Sequence, residues 1–203
     1  LHSCFESFKT DTMPYIILLG CSLGSIGLQG QQQDSLFNHM LEQHADAFAY
    51  SYGAVLGAEL KTIGLDCDKQ SIASIVKGIE SYAPLQQSEA FQKSAQTLIN
   101  TTIQSLRQKD SKAAQKGLRE NQNLAAFYEA YGAVVAHNWN QFGVSVESVL
   151  IADFQAGLSM ANQQSNPFNP QLGQRYITQH YKALKEQQLA QKQADNDRFF
   201  EGL

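Results

Sequence analysis

FAYSYGAVLGAELKTIGLDCDKQSIASIVKGI, residues 48–79, occurs a second time with changes as FYEAYGAVVAHNWNQFGVSVESVLIADFQAGL, residues 127–158. The two stretches stay 79 positions apart throughout their length. Three glycines recur at that offset: Gly53, Gly64 and Gly78 as Gly132, Gly143 and Gly157. Helical composition alone does not explain a constant offset with matching glycines. The sequence therefore predicts a fold built from two copies of one small helical unit.

Each copy contains two segments in which apolar residues recur at intervals of three and four, which predicts two helices with one buried face each. The first helix is predicted to begin near residue 35 or 46 and to end at residue 63. Gly64 suits the left-handed backbone position that ends a helix. Asp66 or Asp68 is predicted to cap the next helix, which carries Ile72, Ile75, Val76 and Ile79 on its apolar face. Ser145 is the corresponding predicted cap in the second copy.

A longer third helix is predicted in each copy. The first begins near Ser88 and extends to about residue 121, although its apolar face thins beyond Leu106. The second begins with Asn169 as the N-cap and Pro170 at the first helical position. No segment alternates as a strand does, so the predicted fold is all-α, with six helices in two tandem three-helix modules whose short helices pair and whose long helices form arms. The predicted divisions are residues 1–34, 35–121 and 122–203.

The N-terminal segment, residues 1–34, resembles a targeting signal followed by a linker. Residues 15–28 are apolar but too few to span a bilayer, and Leu18-Leu19-Gly20-Cys21 resembles a bacterial lipobox. We expect a bacterial envelope protein, periplasmic in location, that meets a membrane only through a lipid on Cys21. The first residue is Leu1 rather than Met, which favours a fragment or a processed form.

Charge argues against a nucleic-acid partner. The formal net charge is −4 and the isoelectric point is near 5.7. The sequence has no basic run or basic stripe interleaved with aromatic residues, and such a stripe supplies the electrostatic part of nucleic-acid binding.

No catalytic, cofactor or metal site is predicted. His39 and His44 are five positions apart, not the three or four that would place two ligands on one helix face, and His137 and His180 lack acidic or thiol residues at ligand spacing. All four are expected to be solvated or to cap helices. Three aspartates are interpreted as helix-surface charge rather than paired catalytic carboxylates: Asp153, Asp195 and Asp197. The three cysteines share no ligand spacing. Cys67 is expected to be an exposed free thiol in a turn, with an intermolecular disulfide as the alternative.

The repeated unit resembles the N-terminal helical domain of Mip-like FKBP-type peptidyl-prolyl isomerases, over about residues 46–203. The elements that carry the resemblance in the first copy are Tyr52-Gly53, Gly57, Gly64-Leu65-Asp66 and Lys77-Gly78-Ile79. Those in the second copy are Tyr131-Gly132, Ala136, Gly143-Val144-Ser145 and Gly157-Leu158. Lys112–Leu118 and, more loosely, residues 193–200 resemble the segment that precedes the catalytic domain in that family.

The resemblance implies a V-shaped homodimer in which two short helices from each chain intertwine and a long third helix leads to a separate isomerase domain. It also implies assistance to protein folding. This chain departs from the family because it stops where the isomerase domain would begin, so no catalytic residue can be transferred. The favoured interpretation is a non-catalytic pairing and chaperone-like module. The alternatives are the N-terminal part of an active isomerase and a stand-alone structural envelope protein.

Glycines one helical turn apart let two helices approach closely, and a glycine inside a helix costs about 1 kcal/mol relative to alanine unless packing requires it. The predicted helix-packing residues are Tyr52, Gly53, Leu56, Gly57, Gly78, Tyr131, Gly132, Val135, Ala136, Trp139 and Gly157. Core packing within the chain and an interface between chains fit these residues equally well. Because both copies lie on one chain, our hypothesis is an intramolecular pseudo-dimer, with unfolded polypeptides as possible partners.

Overall fold

The computed structural model describes residue 35 and residues 37–82, 89–107, 123–163 and 168–201. The expectations for residues 1–34, for a continuation of the third helix to residue 121 and for Lys112–Leu118 fall outside these ranges. The helices are α1 (Ala47–Thr62), α2 (Lys69–Glu80), α3 (Glu89–Arg107), α4 (Asn123–Gln141), α5 (Ile151–Met160) and α6 (Pro170–Glu201), with a 3₁₀ turn at Val146–Ser148. The described residues contain no strand, which confirms the predicted all-α class.

Helix ends in the first copy follow the sequence signals. The side chain of Asp46 accepts from the backbone N–H of Ala49 at 2.9 Å, and that of Asp68 accepts from Ser71 at 2.8 Å. Both carboxylates satisfy a backbone donor that the first turn of a helix leaves unpaired. Gly64 has φ of 78°, so glycine relieves the strain of the left-handed turn between α1 and α2.

In the second copy, two predicted helix boundaries are confirmed and one is wrong. Gly143 has φ of 80° and ends α4, and the Asn169 side chain accepts from the N–H of Gln171 at 2.9 Å as α6 begins. Ser145 does not cap α5, because a 3₁₀ turn intervenes and the helix begins at Ile151. The Ser145 hydroxyl instead donates to the carboxylate of Glu147.

Helices are exchanged between the two copies in the packing. The first helix of each copy packs on the second helix of the other, so that α1 lies on α5 and α4 lies on α2. The third helix of each copy also packs on the first helix of the other, α3 on α4 and α6 on α1. Neither copy therefore forms a compact body from its own helices.

The core lies between these exchanged helices and is rich in aromatic rings. Trp139 on α4 is fully buried and contacts three rings edge-on or tilted, those of Phe48, Tyr52 and Phe154, with centroid distances of 6.3, 5.4 and 5.4 Å. Such offset arrangements are the favoured ones for aromatic pairs. A ring cluster shared by α1, α4 and α5 joins both copies into one hydrophobic core.

The third helices are only partly the free arms that the sequence suggested. On α3, Ile99, Ile103 and Leu106 are buried, and on α6, Ile177 and Tyr181 are buried. From residue 182 onward every described side chain of α6 is exposed except that of Leu184, which is partly buried. The projecting arm is therefore the distal part of α6.

Candidate functional site

Four glycines mark the places where exchanged helices touch backbone to backbone. A Cβ atom on Gly53 would lie 3.0 Å from the carbonyl carbon of Phe154 on α5, and closer still to its oxygen. A Cβ atom on Gly132 would lie 2.9 Å from the carbonyl carbon of Ile75 on α2, again with the oxygen nearer. Because these neighbours are main-chain atoms, no side-chain rearrangement could make room for a methyl group.

The reverse contacts use the glycines of the second helices. A Cβ atom on Gly78 would lie 2.9 Å from the carbonyl carbon of Glu129, and one on Gly157 would lie 3.0 Å from that of Tyr50. Glu129 and Tyr50 are themselves 79 positions apart. Each crossing therefore presents a glycine from both helices, and the two crossings use equivalent residues.

The other predicted packing residues lie in the same region. Gly57 faces the Leu158 carbonyl and the Ala161 side chain, at 2.8 and 2.9 Å from a Cβ placed on it. The remaining residues of that set, Tyr52, Leu56, Tyr131, Val135, Ala136 and Trp139, are all buried.

A small cavity of about 40 Å³, which we call the central pocket, lies among α1, α3, α4 and α6. Eight of its twelve lining residues form four pairs at equivalent positions of the two copies, 79 apart: Tyr52 and Tyr131, Val55 and Val134, Leu56 and Val135, and Glu59 and Asn138. The third helices contribute the other four, Gln96 and Ile99 from α3 and Gln174 and Ile177 from α6. The pocket therefore forms where the two copies meet, and only Glu59 adds a group that ionises as a carboxylate.

Glu59 is partly buried beside the two tyrosines of the pocket. Burial raises the pKa of its carboxyl from 4.5 to about 8. Burial also raises the pKa of Tyr52 to about 12, and the Glu59 charge adds to this shift and to the upward shift of the Tyr131 pKa. Within the described residues the carboxyl of Glu59 has neither an ion-pair partner nor a hydrogen-bond partner.

A polar junction joins the N-termini of α1 and α5. Asp46 accepts from the N–H of Leu150 at 3.0 Å, while Asp153 accepts from the N–H of Asp46 at 2.8 Å. The other carboxylate oxygen of Asp153 lies 3.0 Å from Nδ1 of His44. The interpretation of Asp153 as surface charge was therefore wrong: its side chain is only 17% exposed and caps a helix of the other copy.

His39 is exposed beside Glu42, whereas His137, His180 and Cys67 pack against other side chains. His180 stacks on Phe48 with a centroid distance of 4.5 Å, and Nδ1 of His137 lies 3.1 Å from the Tyr82 hydroxyl. Cys67 is buried at 2% exposure, so the expectation of an exposed thiol was wrong. Burial and the neighbouring aspartates raise the pKa of its thiol to about 12, which keeps it protonated and unreactive.

Sequence reasoning missed both Glu59 and the Asp46–Asp153 junction. The sequence did contain a signal for Glu59: it is an acidic residue one turn after the apolar residues Val55 and Leu56, on the buried side of α1. The junction left no signal, because Asp46 and Asp153 meet across 107 positions and have Ala125 and Ser74 at their equivalents.

The distal part of α6 carries three large apolar side chains among charged and amide residues. Leu189, Phe199 and Phe200 are 57%, 65% and 71% exposed. The two phenylalanine rings contact each other with centroids 5.6 Å apart. Ion pairs such as Arg198 with Asp195, at 2.8 Å, keep the rest of this surface polar.

Two general features limit the chemistry of the described region. No group of three or more His, Cys, Asp or Glu side chains in it could hold a metal ion. None of its helices combines the length and the apolar composition needed to cross a bilayer.

Comparison with models of protein families, with curated proteins and with solved structures found no match to this chain.

Proposed function

We propose that this chain is a non-catalytic helical scaffold, related in design to the pairing domain of Mip-like isomerases, that assists protein folding. The observation that carries the proposal is the reciprocal exchange of helices between the two copies, with a glycine from each helix at both crossings. In that family the resemblance implies that two chains complete one helical core. Here two copies on one chain supply all the helices that such a core requires.

The two copies pair with each other within one chain. The crossings bury the glycine faces within the chain, which supports pairing within one chain rather than between two. We expect a monomer of 22.5 kDa in sedimentation equilibrium. A dimer that separates only when the protein unfolds would contradict this expectation, because the same faces would then have to pair between chains.

The surface that contacts unfolded polypeptides is the distal part of α6, from residue 182 onward. The distal part of α6 presents Leu189, Phe199 and Phe200 to solvent on a helix that is otherwise polar. Exposed aromatic rings offer large contact areas to apolar segments, and the surrounding charges keep the helix soluble. We propose that this arm holds unfolded chains.

The test measures aggregation of reduced insulin by light scattering, with and without the purified chain. We expect suppression by the native protein, and loss of most of it in the triple variant Leu189→Ser, Phe199→Ser, Phe200→Ser. A matched control, Gln187→Ser with Asn196→Ser, changes exposed polar residues of the same arm and should suppress aggregation as the native protein does. Equal suppression by the triple variant would remove the arm from the proposal.

A prolyl isomerisation assay on a proline-containing peptide separates the remaining interpretations. We expect no acceleration by this chain. Acceleration would favour the enzyme alternative, while no acceleration and no suppression of aggregation would favour a structural role.

A further inference from the structure

We propose that the central pocket binds a small primary alkylammonium ion, with the ammonium group against Glu59 and the alkyl chain between the aliphatic side chains of α1, α3 and α4. The inference rests on the pocket and does not depend on the scaffold function.

The pocket is polar at its rim and apolar at its floor. Glu59, Gln96 and Gln174 are only partly buried and contribute the polar groups at the rim, beside the partly buried Val134. The floor is formed by buried side chains that are mainly apolar: Val55, Leu56, Ile99, Val135, Ile177 and the ring of Tyr131. The buried Tyr52 and Asn138 beside them hydrogen-bond to each other. A ligand with a polar head and an apolar tail fits this gradient when its tail enters first.

Charge selects the head group. Glu59 lacks an ion-pair partner in the described part of the chain, and burial raises its pKa because nothing there stabilises the ionised form. A cation beside the carboxyl would supply that stabilisation. The groups that face Glu59 are Tyr52 on its own helix, Tyr131 on α4, which would carry a proton at neutral pH, and the neutral amides of Gln96, Gln174 and Asn138. The amide oxygens of Gln96 and Gln174 can accept further ammonium protons.

Size limits the tail. A cavity of about 40 Å³ holds about three water-sized groups, since one such group needs roughly 10–15 Å³. Three methylene or methyl groups occupy that room, which makes n-propylammonium the matching probe. A lysine side chain of a polypeptide would enter with its charge first, against the apolar floor, so a free amine fits better than a protein side chain.

Binding is measured by isothermal titration with n-propylammonium on the full chain. Deprotonation of Glu59 precedes ion pairing, so the apparent affinity should rise about tenfold between pH 7 and pH 9, while propylamine stays protonated. Glu59→Gln should abolish this binding at both pH values. n-Propanol, which has the same size without charge, should bind at least tenfold more weakly than n-propylammonium at pH 9.

Two further measurements keep the proposal falsifiable if the variant folds poorly. In the native chain, ¹³C NMR of the Glu59 carboxyl should show its pKa falling when n-propylammonium is added. Nα-Acetyl-lysine amide, whose side-chain ammonium group is free, should bind at least tenfold more weakly than n-propylammonium. Three results would overturn the ammonium site: an affinity that does not change with pH, equal binding of n-propanol, or a Glu59 pKa that does not fall when n-propylammonium is added. Equal binding of acetyl-lysine amide would overturn its assignment to a free amine.

Discussion

The crossing of α1 with α5 and the crossing of α4 with α2 have the same glycine contacts and different polar contacts. Gly53 and Gly132 meet main-chain carbonyls at equivalent positions of the opposite helix. The α1–α5 crossing adds the partly buried junction of His44, Asp46 and Asp153, whereas the α4–α2 crossing adds an exposed ion pair, Lys77 with Glu129 at 2.7 Å. The backbone approach is therefore common to both copies, while each crossing has acquired its own polar contacts.

This difference separates two kinds of stabilisation. Close backbone approach leaves no room for variation, because adding one carbon atom would overlap a carbonyl group that cannot move without shifting a helix. Polar contacts at helix ends vary freely as long as the first backbone N–H groups find an acceptor. Substitutions at equivalent positions of the two crossings therefore distinguish the two kinds of stabilisation.

The largest expected effect is that of Gly53→Ala and Gly132→Ala. Each should lower the free energy of unfolding by about 3 kcal/mol or more, and by similar amounts, because equivalent carbonyls would be displaced. Urea denaturation monitored by circular dichroism measures both. Ala126→Leu, on the exposed side of α4, should change stability by less than about 0.5 kcal/mol. A small effect at one glycine and a large one at the other would show that the two crossings are not equivalent.

The second effect is the pH dependence of folding stability that Glu59 causes. The equivalent position in the second copy carries the neutral Asn138. The carboxyl titrates near 4.5 when unfolded and near 8 when folded, so the folded state binds the proton more tightly. Stability should fall as pH rises from about 4.5 through 8, and the loss should level off about one pH unit above 8. Glu59→Gln should remove this loss, which we expect to be about 3–5 kcal/mol.

Thermal unfolding of both chains between pH 5 and pH 9 measures the effect of Glu59→Gln. Glu80→Gln, on the exposed side of α2, provides the matched control and should leave the pH profile unchanged. A native profile parallel to that of Glu59→Gln would show that the carboxyl is already ionised in the folded chain.

The third effect tests the polar junction. Asp153→Ala removes the acceptor for the Asp46 N–H and the partner of His44, and should lower the free energy of unfolding by about 1–2 kcal/mol. Ser74→Ala, at the equivalent position on α2, should have less than half that effect. Chemical denaturation at pH 7 measures both, and equal losses would remove the distinction between the two crossings.

The smallest effect is expected at the exposed pair. Glu129→Gln should lower the free energy of unfolding by less than about 1 kcal/mol, because the Lys77 side chain is 70% exposed and solvent screens the pair. The difference between native and variant should shrink further in 0.5 M NaCl. A loss as large as that of Asp153→Ala would mean that the exposed pair matters as much as the buried junction.

Local signals in the sequence predicted the helices well. Apolar spacing of three and four located α1, α2, α4 and α6, and Asp68, Gly64 and Asn169 marked their ends, because caps and left-handed glycines act on the nearest turn of backbone. Ser145 failed as a cap because a 3₁₀ turn occupies the residues that would have formed the first turn of α5. The prediction that Cys67 is exposed was wrong because its turn packs under Tyr128 and Asn162. The side chains of these two residues donate to the Asp66 and Cys67 carbonyls.

The sequence by itself determined the helices, the duplication and the glycines that require a close neighbour, because these depend on short-range geometry and on a pattern visible in one dimension. Only the tertiary structure decided which helix each glycine meets. It also brought Glu59 to a pocket shared by both copies and joined Asp46 to Asp153. These outcomes depend on contacts between residues about a hundred positions apart, and either copy could in principle have packed its helices on themselves. The exchange was decided by which backbone faces fit together in three dimensions.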